Sequence, residues 1–300
     1  MTNPLLLLPD FMLIAIGALI SRFTALDRPI WEAAEKLVYY ALFPVLLFNS
    51  VVKSPLRLGD TVVLAAAGVG TVLVGIALAY ALRRWPGVDL RRHASGAQTA
   101  FRFNSFIALA MVERLLGPQG VTWMALLIAL CVPICNVAAV WPLARHGGQP
   151  LFRELLRNPL IISTLAGLAA NLLGVTFPEP IATTLQRIGL AALPIGLMAV
   201  GAGLTIGALK AAPRLAAAFL ALRHAVLPLV GIGLAALLKL PAAESATVVL
   251  FASLPTASSA YVLAARMGGD GAFVAGLVTV STGLGMVSIP LALATLAWLS

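Results

Sequence analysis

Two polar interruptions in long apolar runs carry most of the chemistry this sequence can offer. The first is FRFNSFIALAM, residues 101–111, with Arg102, Asn104 and Ser105. The second is LPTASSAY, residues 254–261, with Pro255, Thr256, Ser258 and Ser259. Asn and Ser are good helix N-caps. Pro255 has no N–H to donate and crowds the turn before it, freeing carbonyls around Ala252 to Leu254. Backbone groups freed inside a hydrocarbon core must be satisfied by protein, water or a solute. Two half-helix N-termini meeting there would present N–H groups and positive dipole ends, a setting that suits an anion. Asn136, deep in CVPICNVAAVW beside Pro133, is a third polar candidate for the same cavity.

Other chemistries find less to work with. The three histidines, His93, His146 and His224, do not cluster with carboxylates, and the only acidic residues in or near the apolar runs, Asp10, Glu113 and Glu244, lie near their ends. Ser258 with His224 could form a dyad, yet no Gly-x-Ser-x-Gly elbow accompanies it. An intramembrane enzyme is therefore the weaker reading. Cys131 and Cys135, in C-x3-C spacing, lack further metal ligands and read as buried small residues. No cofactor or metal is expected. A coupling cation held by a midplane carboxylate is disfavoured, which leaves the coupling ion open between proton, sodium bound by carbonyls alone, and none.

The elements that must position these residues follow from composition. Of 300 residues, 61% are hydrophobic and only 10% charged, far from the roughly one-quarter charged share of soluble domains. Ten apolar segments can each span a membrane, near 5–24, 33–52, 61–82, 94–115, 120–143, 159–175, 181–206, 214–238, 244–265 and 272–298. Short connections argue for one polytopic domain over residues 1–300, and an N-terminus without a basic n-region reads as the first span rather than a removable signal. The net charge of +9 is not gathered into an arm or patch, so nucleic acid is not an expected partner. Arg and Lys concentrate after the odd-numbered segments, including Arg22, Arg83, Arg84, Arg91, Arg92, Arg153, Lys210 and Arg266. The positive-inside rule then puts those loops in the cytoplasm and both termini outside the cell membrane.

The ten segments divide into two sets of five, about 5–143 and 159–298. ALFPVLLF (41–48) resembles AALPIGLM (191–198), pairing Pro44 with Pro194 at an offset of 150, and nearly the same offset sets Asn104 opposite Pro255. Because five is odd, the second set enters from the opposite side, as in the inverted repeats of secondary transporters. Asn104 then lies about 15 Å from one face and Pro255 about 16 Å from the other, so both interruptions reach the midplane of a roughly 30 Å core. Plainer roles stay open at this point. Asn104 and the Ser/Thr cluster could bond between helices, Arg102 could snorkel to the cytoplasmic face, Pro44 and Pro194 could break or merely kink their helices, and Arg223 with His224 could belong to an interfacial amphipathic stretch.

Read together, YYALFPVLLFNSV, FRFNSFIAL, VPICNVAAV, RNPLIISTLAGL, LAALPIGLMAVGAGL and LPTASSAYVLAARMGGD resemble the auxin efflux carrier family, in its bacterial branch, over nearly the whole chain. The resemblance implies an all-α membrane protein of ten transmembrane helices in a five-plus-five inverted repeat, with crossed, broken helices four and nine, the architecture shared with bile-acid sodium symporters. It implies a small organic anion as substrate, auxin-like or a mono- or dicarboxylate. An elevator motion against a scaffold of helices one, two, six and seven would carry it. Carried over by position, the substrate site comprises Arg102, Asn104, Ser105, Asn136, Pro255, Thr256 and Ser258. The resemblance further suggests lipid contact and a homodimer through the scaffold, with sodium-coupled symport as the alternative mechanism. One departure is visible: plant members have a proline at the fourth-helix break, where this chain has Asn104.

The charge asymmetry generates a topology prediction. Reporter fusions at residue 300 should read external, and a cytoplasmic signal there would break the five-plus-five reading.

Overall fold

The computed structural model describes residues 8–53, 62–147, 159–203, 209–210, 212–257 and 259–299. Among these the chain is helical throughout, and the sole extended pairing is an isolated β-bridge. Five helices are long and apolar enough to cross a membrane by length and composition: Val62–Arg84, Gln119–Ala144, Glu179–Ala199, Pro213–Leu237 and Gly271–Leu299. The other expected segments are shorter or interrupted. Leu8–Phe23 and Pro159–Leu172 adjoin stretches outside the described residues. Segment two runs through Arg28–Leu37, Val38–Leu42 and Phe43–Val52, segment four through Leu90–Gly96 and Gln98–Phe101 into a helix starting at Ser105, and segment nine through Ala242–Ser253 and Ser259–Arg266.

The helix from Ser105 to Gly147 turns at Gly117, whose φ of 62° and ψ of −156° no residue with a side chain adopts comfortably. That glycine separates the expected segments four and five.

The prolines act differently from one another. Pro44 is among the expected helix-breaking residues, yet its helix continues. The turn before it widens to π geometry over Val38–Leu42, with the Phe43 N–H reaching back to the Val38 carbonyl. A proline ring would otherwise collide with the carbonyl four residues earlier, and the wider turn relieves that collision. Pro228 repeats the device two residues after the π turn Leu222–Val226. Pro194, also expected as a break, sits inside the continuous helix Glu179–Ala202, where one missing hydrogen bond leaves the helix intact. Of the four expected break positions, only Asn104 and Pro255 interrupt a helix.

The helices pack in two groups. Segments one, two, six and seven contact chiefly one another, and segments three, four, five, eight, nine and ten form the second group around a common apolar core. Phe101, Phe219, Phe251 and Phe273 are completely or almost completely buried in that core. Close approach within each group depends on missing side chains. A Cβ on Gly17 would lie 1.9 Å from the carbonyl oxygen of Met198, and one on Gly231 would lie 2.7 Å from the Ala252 Cβ. Polar contacts cross between the groups: the Tyr261 hydroxyl donates to the Glu35 carboxylate, and the Arg266 guanidinium stands 4.1 Å over the Tyr40 ring and 5.1 Å from that of Tyr39.

The Gly17 contact is with backbone, so no rotamer change relieves an added side chain. Gly17→Leu should separate segments one and seven and destabilise the protein by about 1–3 kcal/mol or more. Thermal unfolding in detergent would register it, and an unchanged midpoint would show that the crossing is not close.

Candidate functional site: a crossing of two broken helices

The interruptions at residues 102–104 and 254–258 lie against each other. Arg102 leaves helical geometry with φ −76° and ψ 134°, and Leu254 does the same with φ −58° and ψ 143°. At Leu254 the cause is the following proline, which disfavours helical ψ in its predecessor. Phe103 and Thr256 then form an antiparallel bridge, in which the Asn104 N–H donates to the Pro255 carbonyl at 2.9 Å and the Ala257 N–H to the Arg102 carbonyl at 3.3 Å. The Phe103 and Phe251 rings pack edge to face beside it, 4.5 Å between centroids.

The fourth segment breaks without a proline because Asn104 caps the helix that resumes after it. Its side-chain oxygen accepts the Ile107 N–H at 3.2 Å, three residues into the new helix. Ser105 opens that helix and is half-buried.

Carbonyls set free by the two breaks find partners on other segments. Thr99 O accepts the Thr256 hydroxyl at 2.7 Å, Phe101 O accepts the Cys135 thiol at 3.5 Å, and Leu254 O accepts Nε of Arg223. The Thr256 N–H donates to Ser281 Oγ at 2.9 Å. Thr256, expected to cap a half-helix or face a solute, thus has both its hydroxyl and its amide engaged by neighbouring segments. Cys135 acts as a buried donor, and both cysteines are free thiols.

Arg102 does not snorkel out of the interior. It is 4% exposed, with Nη1 donating to Gln98 Oε1 at 2.8 Å and Nη2 to Ser259 Oγ at 2.9 Å. Gln98 is held in turn through Nε2 on the Ser95 carbonyl. Asn136 is 2% exposed, and its Nδ2 is buried with no hydrogen-bond partner. Ser258 lies outside the described residues.

Sequence reasoning missed Arg223. It stands in the π turn of a continuous Pro213–Leu237 helix, 2% exposed, with Nη2 unpartnered. Beside it, His224 lies 2.8 Å from Ser281 Oγ through Nε2 and 2.8 Å from Ser288 Oγ through Nδ1. The available signal was a basic pair ten residues into an apolar run and followed by Pro228, where an interfacial stretch would have continued its polar face. No carboxylate among the described residues pairs with Arg102 or Arg223. Among the described residues the crossing therefore holds two buried positive charges without counter-charge, an arrangement costly in low dielectric unless an anion joins it. A surface cleft lined by Trp85, Asp89, Arg92 and Pro213 lies elsewhere.

Residues 144–293 match the family described as membrane transport protein. The chain belongs to this family. With its several apolar helices it is a multi-pass membrane protein of the auxin efflux carrier type, and the resemblance read from the sequence motifs stands. A relative from Rhizobium meliloti (strain 1021), named "Putative malonate transporter", is 27% identical over 282 residues, covering 88% of this chain and 86% of that protein. Both names are those of transporters rather than enzymes.

The carbonyl partners make the crossing testable. Thr256→Val keeps the side chain's shape and removes the donor to Thr99 O, which should cost about 1–3 kcal/mol of stability. Thr184→Val, whose hydroxyl bonds an exposed carbonyl in its own helix, should change little in the same detergent melts.

Proposed function

We infer that this chain is a secondary-type transporter that carries a small organic anion across the cell membrane at the crossing of segments four and nine. The observation that carries the reading is the pair of buried guanidinium groups, Arg102 and Arg223, set beside two mutually bonded helix breaks with no carboxylate among the described residues to neutralise them. A cation would meet repulsion there and a neutral sugar would leave the charges unpaired, whereas a carboxylate supplies the missing counter-charge and acceptors. The name of the Rhizobium meliloti relative points to malonate as the first solute to test.

The architecture proposed for this activity is ten spans in a five-plus-five inverted repeat with both termini external. Support comes from breaks that lie at matching depth when counted from opposite faces, and from the antiparallel sense of the bridge joining them. An elevator motion follows from the two packing groups: segments three, four, five, eight, nine and ten would move as one body carrying the crossing, and segments one, two, six and seven would stand as the scaffold. The bonded residues Phe103, Asn104, Pro255 and Thr256 are buried, so a solute would reach them when one group shifts relative to the other. Each residue then has a task. Arg102 supplies charge, Asn104 holds the half-helix that starts beside it, Asn136 offers an unpartnered amide donor, and Pro255 keeps segment nine from closing into a continuous helix.

Purified protein in proteoliposomes should take up labelled malonate saturably and take up glucose not at all. Arg102→Gln should lower malonate uptake by about ten- to 100-fold, and Pro255→Ala should suppress turnover with the protein still inserted, because the restored N–H lets the helix close. Repeating the uptake with and without sodium and a pH gradient assigns the coupling, and sodium dependence would favour the symporter alternative. Uptake left unaltered by both substitutions would place the site elsewhere.

A further inference from the structure

Arg223 is more than the crossing needs. Its Nε satisfies the Leu254 carbonyl, a task that any neutral donor of suitable length could perform without burying a charge. Its Nη2 is buried and unpartnered in a side chain only 2% exposed. The π turn that carries it adds a residue to the helix at that level and turns the side chain onto the break in segment nine. Arg102 approaches the same region from segment four, where the Cys135 thiol donates to the carbonyl of the preceding residue, Phe101, at 3.5 Å. The residue after that thiol, Asn136, contributes the other unpartnered buried donor. Two separate cationic centres and a spare amide thus stand at the crossing, and they are mounted on different segments.

A monocarboxylate has one charged group and can neutralise only one of these centres. We propose that Arg223 is the specificity-determining residue of the transport site: Arg102 takes one carboxylate of a dicarboxylate, Arg223 takes the other through its unpartnered Nη2 edge, and the second charge is what the protein selects for. The assignment rests on the anion-transport reading above and adds to it a named residue and a direction of preference. It also links selection to conformation, because the guanidinium that meets the second carboxylate also holds the Leu254 carbonyl at the break.

The test compares malonate with its monomethyl ester, which keeps the skeleton and blocks one charge, in proteoliposomes at slightly alkaline pH. Wild-type protein should favour malonate by about tenfold or more in uptake efficiency. Arg223→Gln should lower malonate uptake by about ten- to 100-fold while the monoester stays within about threefold, so that the preference disappears. Arg223→Lys, which keeps the charge without the planar fork, should retain part of the preference. Equal loss of both solutes in Arg223→Gln would mark a purely structural role and overturn the proposal, as would an unchanged ratio. If that variant does not fold, the wild-type ratio decides: no preference for malonate over the monoester sinks the proposal and leaves the anion-transport reading intact. Uptake of neither solute by wild-type protein would sink both.

Discussion

A helix broken inside a membrane has no water to take over its lost hydrogen bonds, and each unsatisfied backbone group there costs several kcal/mol. The crossing of segments four and nine meets that constraint by pairing one break with the other. Asn104 and Pro255 share a bond, as do Arg102 and Ala257, and the carbonyls left over are taken by Thr256, Cys135 and Arg223. The rest of the second group is arranged to deliver these donors. Segment five brings Cys135 and Asn136, segment eight brings Arg223, and segment ten brings Ser281 to the amide of Thr256. The six segments are in this sense the support for two interruptions.

The same requirement explains why the interior is both polar and closed. Gln98, Thr99, Arg102, Asn104, Thr256 and Ser281 are all buried, and most of their donors and acceptors meet protein partners. Against that background the unpartnered Nδ2 of Asn136 and Nη2 of Arg223 stand out, since buried polar groups in folded proteins are nearly always paired. Groups that are left over where most neighbours are satisfied, next to guanidinium charges with no carboxylate partner among the described residues, give the functional proposal its physical content.

Much of this was legible in the sequence, and the parts that were not share a cause. Local signals located the breaks: Pro255 has no N–H, Asn104 is a capping residue, and the rise per residue placed both at one depth. What each break would bond to could not be read locally, because Thr99, Cys135 and Ser281 are partners only through packing. Prolines left two readings open for the same reason. Pro44 and Pro194 resemble Pro255 in sequence, yet one follows a widened turn and the other sits in an unbroken helix. Arg223 escaped because the residues around it also fit an interfacial stretch, and a π turn has no sequence signature beyond the proline two residues on.

The contacts between the two groups carry a consequence for speed. Tyr261 to Glu35, and Arg266 over Tyr39 and Tyr40, tie the second half of segment nine to segment two. In the proposed elevator motion, sliding one group past the other would break these contacts. A cation–π contact contributes about 0.5–2 kcal/mol depending on its desolvation, and about 1.4 kcal/mol on a barrier is a factor of ten in rate. In that motion the seam would act as a throttle. Sequence changes there would retune how often the carrier cycles by an order of magnitude or so, and they would leave untouched the groups proposed to meet the solute.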